Sequence, residues 1–167
     1  MKHIIITTLL ALLLNSTVQA EVTEVNRNIL LSGNDSCYIL GDSIALGISM
    51  NLQQCSANAK KGITSSLFLG RLIGTVRAHK VIISLGVNDS PNATTQRNLE
   101  ALRKRIEAEQ VVWVLPNSKY SVQRAAVQAV AAEFHDQAVA VDQFASADGI
   151  HPTLTGYRRI SYQLAAR

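Results

Sequence analysis

Short apolar runs along this chain alternate with stretches in which apolar residues recur at helical spacing. Residues 37–40 form a brief strand-like run, and 44–52 repeat their apolar positions as a helix does. Residues 56–59 read as a weak strand. The segment 65–76 carries Leu67, Leu69, Leu72, Ile73 and Val76 at mostly helical spacing. Within 80–85, Val81-Ile82-Ile83 is continuous and β-branched, as expected of a strand buried on both faces. A helix over 94–108 puts Leu99, Leu102 and Ile106 on one side, with Arg103 and Arg105 off it. Residues 111–115 form another buried strand ended by Pro116, 121–134 an alanine-rich helix, and 138–141 a last short strand. Pro152 then suits the first position of a helix running to about 165, with Leu154, Tyr157, Ile160 and Leu164 inward and His151 at the cap.

Strand followed by helix, five times over, specifies an α/β fold with a parallel sheet covered on both faces. Right-handed crossovers make a three-layer α/β/α sandwich the natural solution, with a five-stranded parallel sheet. Ligands in such sheets bind beyond the carboxyl ends of the strands.

The N-terminus departs from this pattern. Lys2, the apolar run 4–14 and Val18-Gln19-Ala20 have the layout of a cleaved export signal. A membrane span needs about 20 apolar residues, and this run is roughly half that. The expected organisation is a signal peptide at 1–20, a loosely packed polar arm at 21–34 and one domain at 35–167. The mature chain would begin at Glu21, periplasmic or secreted, without stable membrane insertion. No cysteine follows Ala20, so a lipid anchor lacks its attachment residue. Export also changes the reading of the two cysteines: Cys37 and Cys55 are expected to form one disulfide. Neither has a His or Cys near it at ligand spacing, so no metal site is expected.

At 167 residues, 47% hydrophobic and 17% charged, the composition is that of an ordinary single globular domain. Lys and Arg number 16 against 12 Asp and Glu; without Lys2 the balance is 15 to 12, or +3. That excess is spread over Lys60-Lys61, Arg103-Lys104-Arg105 and Arg158-Arg159, and argues little about partners. Neither a zinc spacing nor an aromatic-basic strand pattern is present, so no nucleic-acid partner is expected.

Candidate chemistry gathers at the predicted strand ends. Gly41-Asp42-Ser43 joins the first strand to its helix, where Ser43 is either a helix cap or a nucleophile near backbone N–H groups. Asp148-Gly149-Ile150-His151-Pro152 precedes the last helix. A tight turn there lets the Asp148 carboxylate reach one ring nitrogen of His151, leaving the other free as a general base. Gly86-Val87-Asn88-Asp89 ends the most apolar strand and would present the Asn88 amide at the sheet's upper edge. Gly62, after the weak second strand, would offer a bare backbone N–H. Each pattern alone is also common turn chemistry. Their recurrence at separate strand ends points to a site.

In these blocks the chain resembles the GDSL-type, or SGNH, hydrolase family. Its serine, glycine, asparagine and histidine markers are matched by Ser43, Gly62, Asn88 and His151. Ile44 stands for the leucine of the family's name. The resemblance covers about residue 36 to the C-terminus and implies sheet order 2-1-3-4-5. It also implies a serine nucleophile, Ser43, with His151 and Asp148 as base and orienting carboxylate. The oxyanion hole would be formed by the Ser43 and Gly62 N–H groups and the Asn88 side chain, with no cofactor. The Gly-x-Ser-x-Gly elbow of α/β-hydrolases is absent, because Ala45 stands where the second glycine should be.

The expected reaction is hydrolysis of small acyl esters, acetyl above all, on a carbohydrate such as cell-wall or exported polysaccharide. Short connections at the active edge and an aromatic content of 5% leave little material for a long acyl tunnel. Exposed polar residues such as Asn117, or a partner protein, would bind the sugar, and the chain is expected to be a monomer. The alternatives are a periplasmic lysophospholipase or acyl-thioesterase and, from another class, a non-catalytic carbohydrate-binding or assembly module.

Overall fold

Period-two alternation in the apolar runs divides the core between two faces of one sheet. Ile39, Ile82 and Val112 face one way, and Leu40, Ile83 and Trp113 the other. The computed structural model describes residues 22–27, 36–91 and 93–166. In chain order its elements are β1 Glu24–Arg27, β2 Cys37–Gly41, α1 Ser43–Asn51, β3 Ser56–Lys60, α2 Ser65–Arg71 and β4 Val76–Ser84. There follow α3 Thr95–Arg103, β5 Ile106–Val114, α4 Ser121–Glu133, β6 Gln137–Val139 and α5 Leu154–Ala165. The six-stranded sheet has the order β1-β3-β2-β4-β5-β6. From β3 to β6 every pairing is parallel, and these five strands reproduce the expected 2-1-3-4-5 order.

One sheet face packs against α1 and α5 through Ile44, Ile48, Ile160 and Leu164. The other packs against α2, α3 and α4 through Phe68, Leu99, Leu102, Val127 and Val130. Each fully buried side chain of this size contributes about 1.5–3 kcal/mol of transfer free energy, so the two faces supply most of the driving force for folding.

Several sequence expectations need correction. The arm is not wholly loose: β1 adds a sixth, antiparallel strand beside β3, and Glu24 pairs with Lys60 at 2.7 Å. Residues 1–21 and 28–35, which include the expected signal peptide and most of the arm, lie outside the described residues. The helix expected over 65–76 ends at Arg71, and Val76 already belongs to β4, paired with Ile106 of β5. That pairing also shortens the helix expected over 94–108 to Thr95–Arg103. The cause is tertiary. Gly74 takes a positive φ of 72° after α2, and the Arg105 guanidinium donates to the open carbonyls of Leu69, Leu72 and Gly74. Core positions of two different elements had therefore mimicked one helical stripe. At the last helix the cap is Thr153, whose Oγ accepts from Gly156 N–H at 3.0 Å, rather than His151. Pro152 instead bridges to Ala145. Leu154, expected inward, is 85% exposed.

The Cys37–Cys55 disulfide is present and ties the start of β2 to the residue before β3. It lies at the end of the sheet opposite Ser43. Among the described residues no helix is long and apolar enough to cross a membrane.

Candidate active site

The site begins where three adjacent parallel strands end at one level. Gly41 of β2 is in register with Ala59 of β3 on one side and Ser84 of β4 on the other. Gly41 adopts φ +142°, and a Cβ there would stand 1.8 Å from the Ser84 carbonyl oxygen, so only glycine permits this closeness. Asp42 then locks the turn. Its N–H donates to Ser84 O, and its Oδ1 accepts from Ile44 N–H at 2.9 Å and from Ser84 Oγ at 3.0 Å. Asp42, not Ser43, is therefore the N-cap of α1. Ser43 is left at the first helical position with its hydroxyl available for other work. Burial pushes the Asp42 carboxyl up to about 6, against the opposing pull of the Ile44 and Ser84 donors.

The loop before α5 brings the imidazole to that hydroxyl. Asp148 Oδ1 accepts from the N–H groups of Ile150 and His151 and from Ser146 Oγ, at 2.7–2.9 Å. This shapes the tight turn and aims the other oxygen at the ring. Asp148 Oδ2 lies 2.7 Å from His151 Nδ1, and His151 Nε2 lies 2.8 Å from Ser43 Oγ. The side-chain hydrogen bond from His151, then the Ile150 and His151 N–H groups, hold the Asp148 carboxyl well below the ordinary carboxylate range. An ionised Asp148 places the ring proton on Nδ1. The Nε2 lone pair then accepts from Ser43 O–H. Lys119 Nζ donates to the Asp148 carbonyl at 2.6 Å, fastening this loop to the one after β5.

On the other side, Asn88 Nδ2 donates to the Ile63 carbonyl at 3.1 Å. That bond runs from the end of β4 to the loop after β3, and so crosses the end of β2, where α1 and Ser43 begin. Gly62 in the same loop has φ +72°. Behind them lies buried Asp89. Its Oδ1 accepts from Ser65 N–H at 2.8 Å, and its Oδ2 from Ser65 Oγ and, at 2.7 Å, from Thr95 Oγ1. Gln123 Nε2 donates to the Asp89 carbonyl at 2.7 Å. One carboxylate thus joins the starts of α2 and α3 to the turn that carries Asn88.

The structure brings Ser43, His151 and Asp148 into one hydrogen-bonded line. Gly62 and Asn88 occupy the neighbouring loops. Asn117 lies in the loop after β5, its Oδ1 accepting from Lys119 N–H at 3.1 Å. Sequence reasoning passed over Asp42 as the cap, Ser84 as its partner, Asp89 as the buried tie and Lys119 as the loop fastener. Asp42 and Asp89 stood inside the motifs already singled out, beside the residues chosen.

Solved structures of similar shape carry the comparison further than sequence does. No protein-family model matches the sequence, and a search of curated proteins gives no match. A GDSL-like lipase from Bacteroides thetaiotaomicron superposes with a TM-score of 0.60 at 18% identity, covering 80% of this chain and 86% of that one. The C-terminal catalytic domain of peptidoglycan O-acetyltransferase A from Streptococcus pneumoniae gives 0.55 at 18% identity, covering 79% and 91%. A carbohydrate acetylesterase from Sinorhizobium meliloti gives 0.53 at 14% identity, covering 78% and 98%. The chain has the fold of the GDSL-like, or SGNH, hydrolases.

Proposed function

We propose that this protein is an exported serine esterase that removes small acyl groups, acetyl foremost, from a carbohydrate. The observation that carries the reading is the continuous line Asp148–His151–Ser43 at the carboxyl ends of the strands. In the reaction, Ser43 Oγ attacks the ester carbonyl as His151 Nε2 takes its proton, and Asp148 steadies the imidazolium. The tetrahedral oxyanion accepts hydrogen bonds from the N–H groups of Ser43 and Gly62 and from the Asn88 amide. Collapse expels the alcohol, which takes the proton from His151. Water, activated by the same imidazole, then releases the acid and restores Ser43.

The preference for a small acyl group rests on the connections at this edge. Residues 61–64, 85–94 and 115–120 are each shorter than the roughly 12 residues at which functional lids become common, and the longer connection 140–153 is tied down by Asp148 and carries His151. The acetylesterase and O-acetyltransferase among the similar folds support an acetyl-sugar substrate. A p-nitrophenyl ester series tests this: kcat/KM for acetate should clearly exceed that for octanoate. The reverse order, with turnover of lysophospholipids and none of acetylated glycans, would replace the reading by the lysophospholipase alternative.

A further inference from the structure

The outward face of α5 carries a pocket that the acyl-transfer chemistry does not use. Its volume is about 380 Å³, at the small end of the roughly 300–1,000 Å³ usual for ligand pockets. Phe144, Thr155, Arg158, Arg159, Tyr162 and Gln163 line it. All but Phe144 belong to α5, where spacings of three, four and seven residues put them on one face. Phe144 comes from the loop that holds Asp148 and His151. Gly156 lets that loop seat against the helix, since a Cβ there would stand 2.8 Å from Phe144 Cβ and 2.9 Å from its carbonyl oxygen. The same carbonyl accepts from Thr153 N–H at 2.8 Å, and Ser146 N–H donates to His151 O at 2.7 Å. One clipped loop therefore supplies both the Asp148–His151 pair and the aromatic wall of the pocket.

Arg158 and Arg159 are exposed, and among the described residues neither guanidinium meets a carboxylate. No acidic residue occurs on α5 or in the lining. The acids of the preceding loop are engaged elsewhere, Asp142 with Arg124 at 2.8 Å and Asp148 with His151 at 2.7 Å. Tyr162 is 77% exposed on the same face. Two aromatic rings, two forked guanidiniums, a hydroxyl and an amide together fit a charged sugar. Its C–H face lies on a ring, its hydroxyls bond Thr155 and Gln163, and its anionic group accepts paired N–H bonds. A lipid surface is a poorer match. The apolar side of α5, with Ile160 and Leu164, is turned into the core, leaving Leu154 and the polar-tipped Tyr162 as its large exposed hydrophobic residues.

We propose that this pocket binds an anionic sugar, carboxylate- or phosphate-bearing, in a polysaccharide whose acetylated residue lies at Ser43. The link to the substrate rests on the esterase reading of Ser43. Helix α5 begins three residues after His151, at the active edge, and runs back to the opposite end of the sheet, where Lys80 Nζ donates to Leu164 O at 3.1 Å. Arg158 stands four residues, about 6 Å of rise, into that helix. A polymer seated at Ser43 thus continues down this flank. Because both guanidiniums are exposed, the binding is screened by salt.

The test measures equilibrium binding of polygalacturonate, phosphorylated dextran and plain dextran to the wild-type protein and to Arg158→Gln/Arg159→Gln. At low ionic strength the double variant should bind the anionic polymers about three- to tenfold more weakly, the scale of two exposed ion pairs. In about 0.5 M salt that difference should vanish. Tyr162→Ala should also weaken binding severalfold. Arg97→Gln/Lys104→Gln removes the same charge from α3 and its C-cap, on the other face of the sheet, and should not. A preference between the two anionic polymers identifies the charge, and either order supports the pocket. Plain dextran bound equally well, an equal loss in the α3 control, an unaffected Tyr162→Ala, or binding confined to phosphatidylglycerol vesicles overturns it. Turnover supplies the second arm. On acetylated polygalacturonate, kcat/KM relative to that on p-nitrophenyl acetate, an ester too small to reach the pocket, should fall by the same factor in Arg158→Gln/Arg159→Gln. Hydrolysis of both esters with that ratio unmoved overturns the subsite while the esterase reading stands. Charge-selective binding with no hydrolysis of either ester by the wild-type protein fails the esterase reading alone.

Discussion

Asp89 is the residue whose removal should damage both fold and chemistry in a measurable order. The residue is 6% exposed, and its carboxylate accepts from three donors, Ser65 N–H, Ser65 O–H and Thr95 O–H. Asn98 Nδ2 adds a bond to the same Ser65 hydroxyl at 3.0 Å. A hydrogen bond to a charged group contributes about 1.5–3 kcal/mol, and a buried donor left alone costs about 1–3 kcal/mol. The contributions are coupled and do not sum, so Asp89→Ala should destabilise by about 3–5 kcal/mol. Against a total of about 5–15 kcal/mol, that is about a fifth of the stability or more. At about 2–4 °C per kcal/mol, the melting temperature should fall by roughly 10 °C. Asp89→Asn keeps one acceptor oxygen for Ser65 N–H and should cost about 1–2 kcal/mol. Loosening this tie frees the turn that carries Asn88, so kcat should fall more than KM rises in both variants, and less in Asp89→Asn. Thermal melts and steady-state kinetics on acetyl esters give both readouts. An Asp89→Ala protein melting within about 2 °C of wild type would refute the reasoning.

Other perturbations separate the parts of the account. Asp148→Asn should preserve the fold but lower kcat by about 10³–10⁴, because an amide facing Nδ1 favours the wrong imidazole tautomer; kinetics and near-UV circular dichroism check the pair. Asp42 has a folded value of about 6 against an ordinary 3.8, so the native state holds its proton more tightly than the unfolded chain. Stability should therefore fall as pH rises through that window, by up to about 3 kcal/mol, and Asp42→Asn should remove the slope in urea melts taken across it. The bridge from Cys37 to Cys55 closes an 18-residue separation, for which chain entropy gives about 3 kcal/mol; a Cys37→Ser/Cys55→Ser protein should show that loss in denaturant and keep its activity. Arg103 and Asp136 form a bidentate pair, and Trp113 Nε1 donates to the same carboxylate at 2.9 Å. Asp136→Ala should cost about 3–5 kcal/mol in the same unfolding assay, because it leaves a mostly buried guanidinium unpaired.

The parallel sheet could be read from residues because its central strands are buried on both faces and leave continuous apolar runs, as at Val81-Ile82-Ile83. Where burial comes from two elements at once, the pattern misleads. Val76 and Ile106 continue the helical spacing before them, yet each belongs to the exposed-edged beginning of a strand. Glu24–Arg27 carries a single apolar residue, Val25, too little to signal a strand, since an edge strand this short is held mainly by ladder bonds to β3 and by ion pairs at its margin. Turn motifs announced the site by type: Asp148 and His151 three apart, and a serine after Gly41-Asp42. Division of labour within each motif was hidden, because it depends on contacts across the sheet. Asp42 caps α1 only in partnership with Ser84, and Asp89 binds Ser65, 24 residues away in the chain.

The central claim is that Ser43, activated by His151, is a nucleophile. Intact-mass analysis after treatment with a fluorophosphonate reads this directly, since the reagent phosphonylates an activated serine and spares ordinary hydroxyls. The account predicts one adduct per wild-type molecule, mapped to Ser43, none in Ser43→Ala and strongly slowed labelling in His151→Ala. A wild-type protein that stays unlabelled, or a Ser43→Ala protein labelled at the wild-type rate, would contradict it.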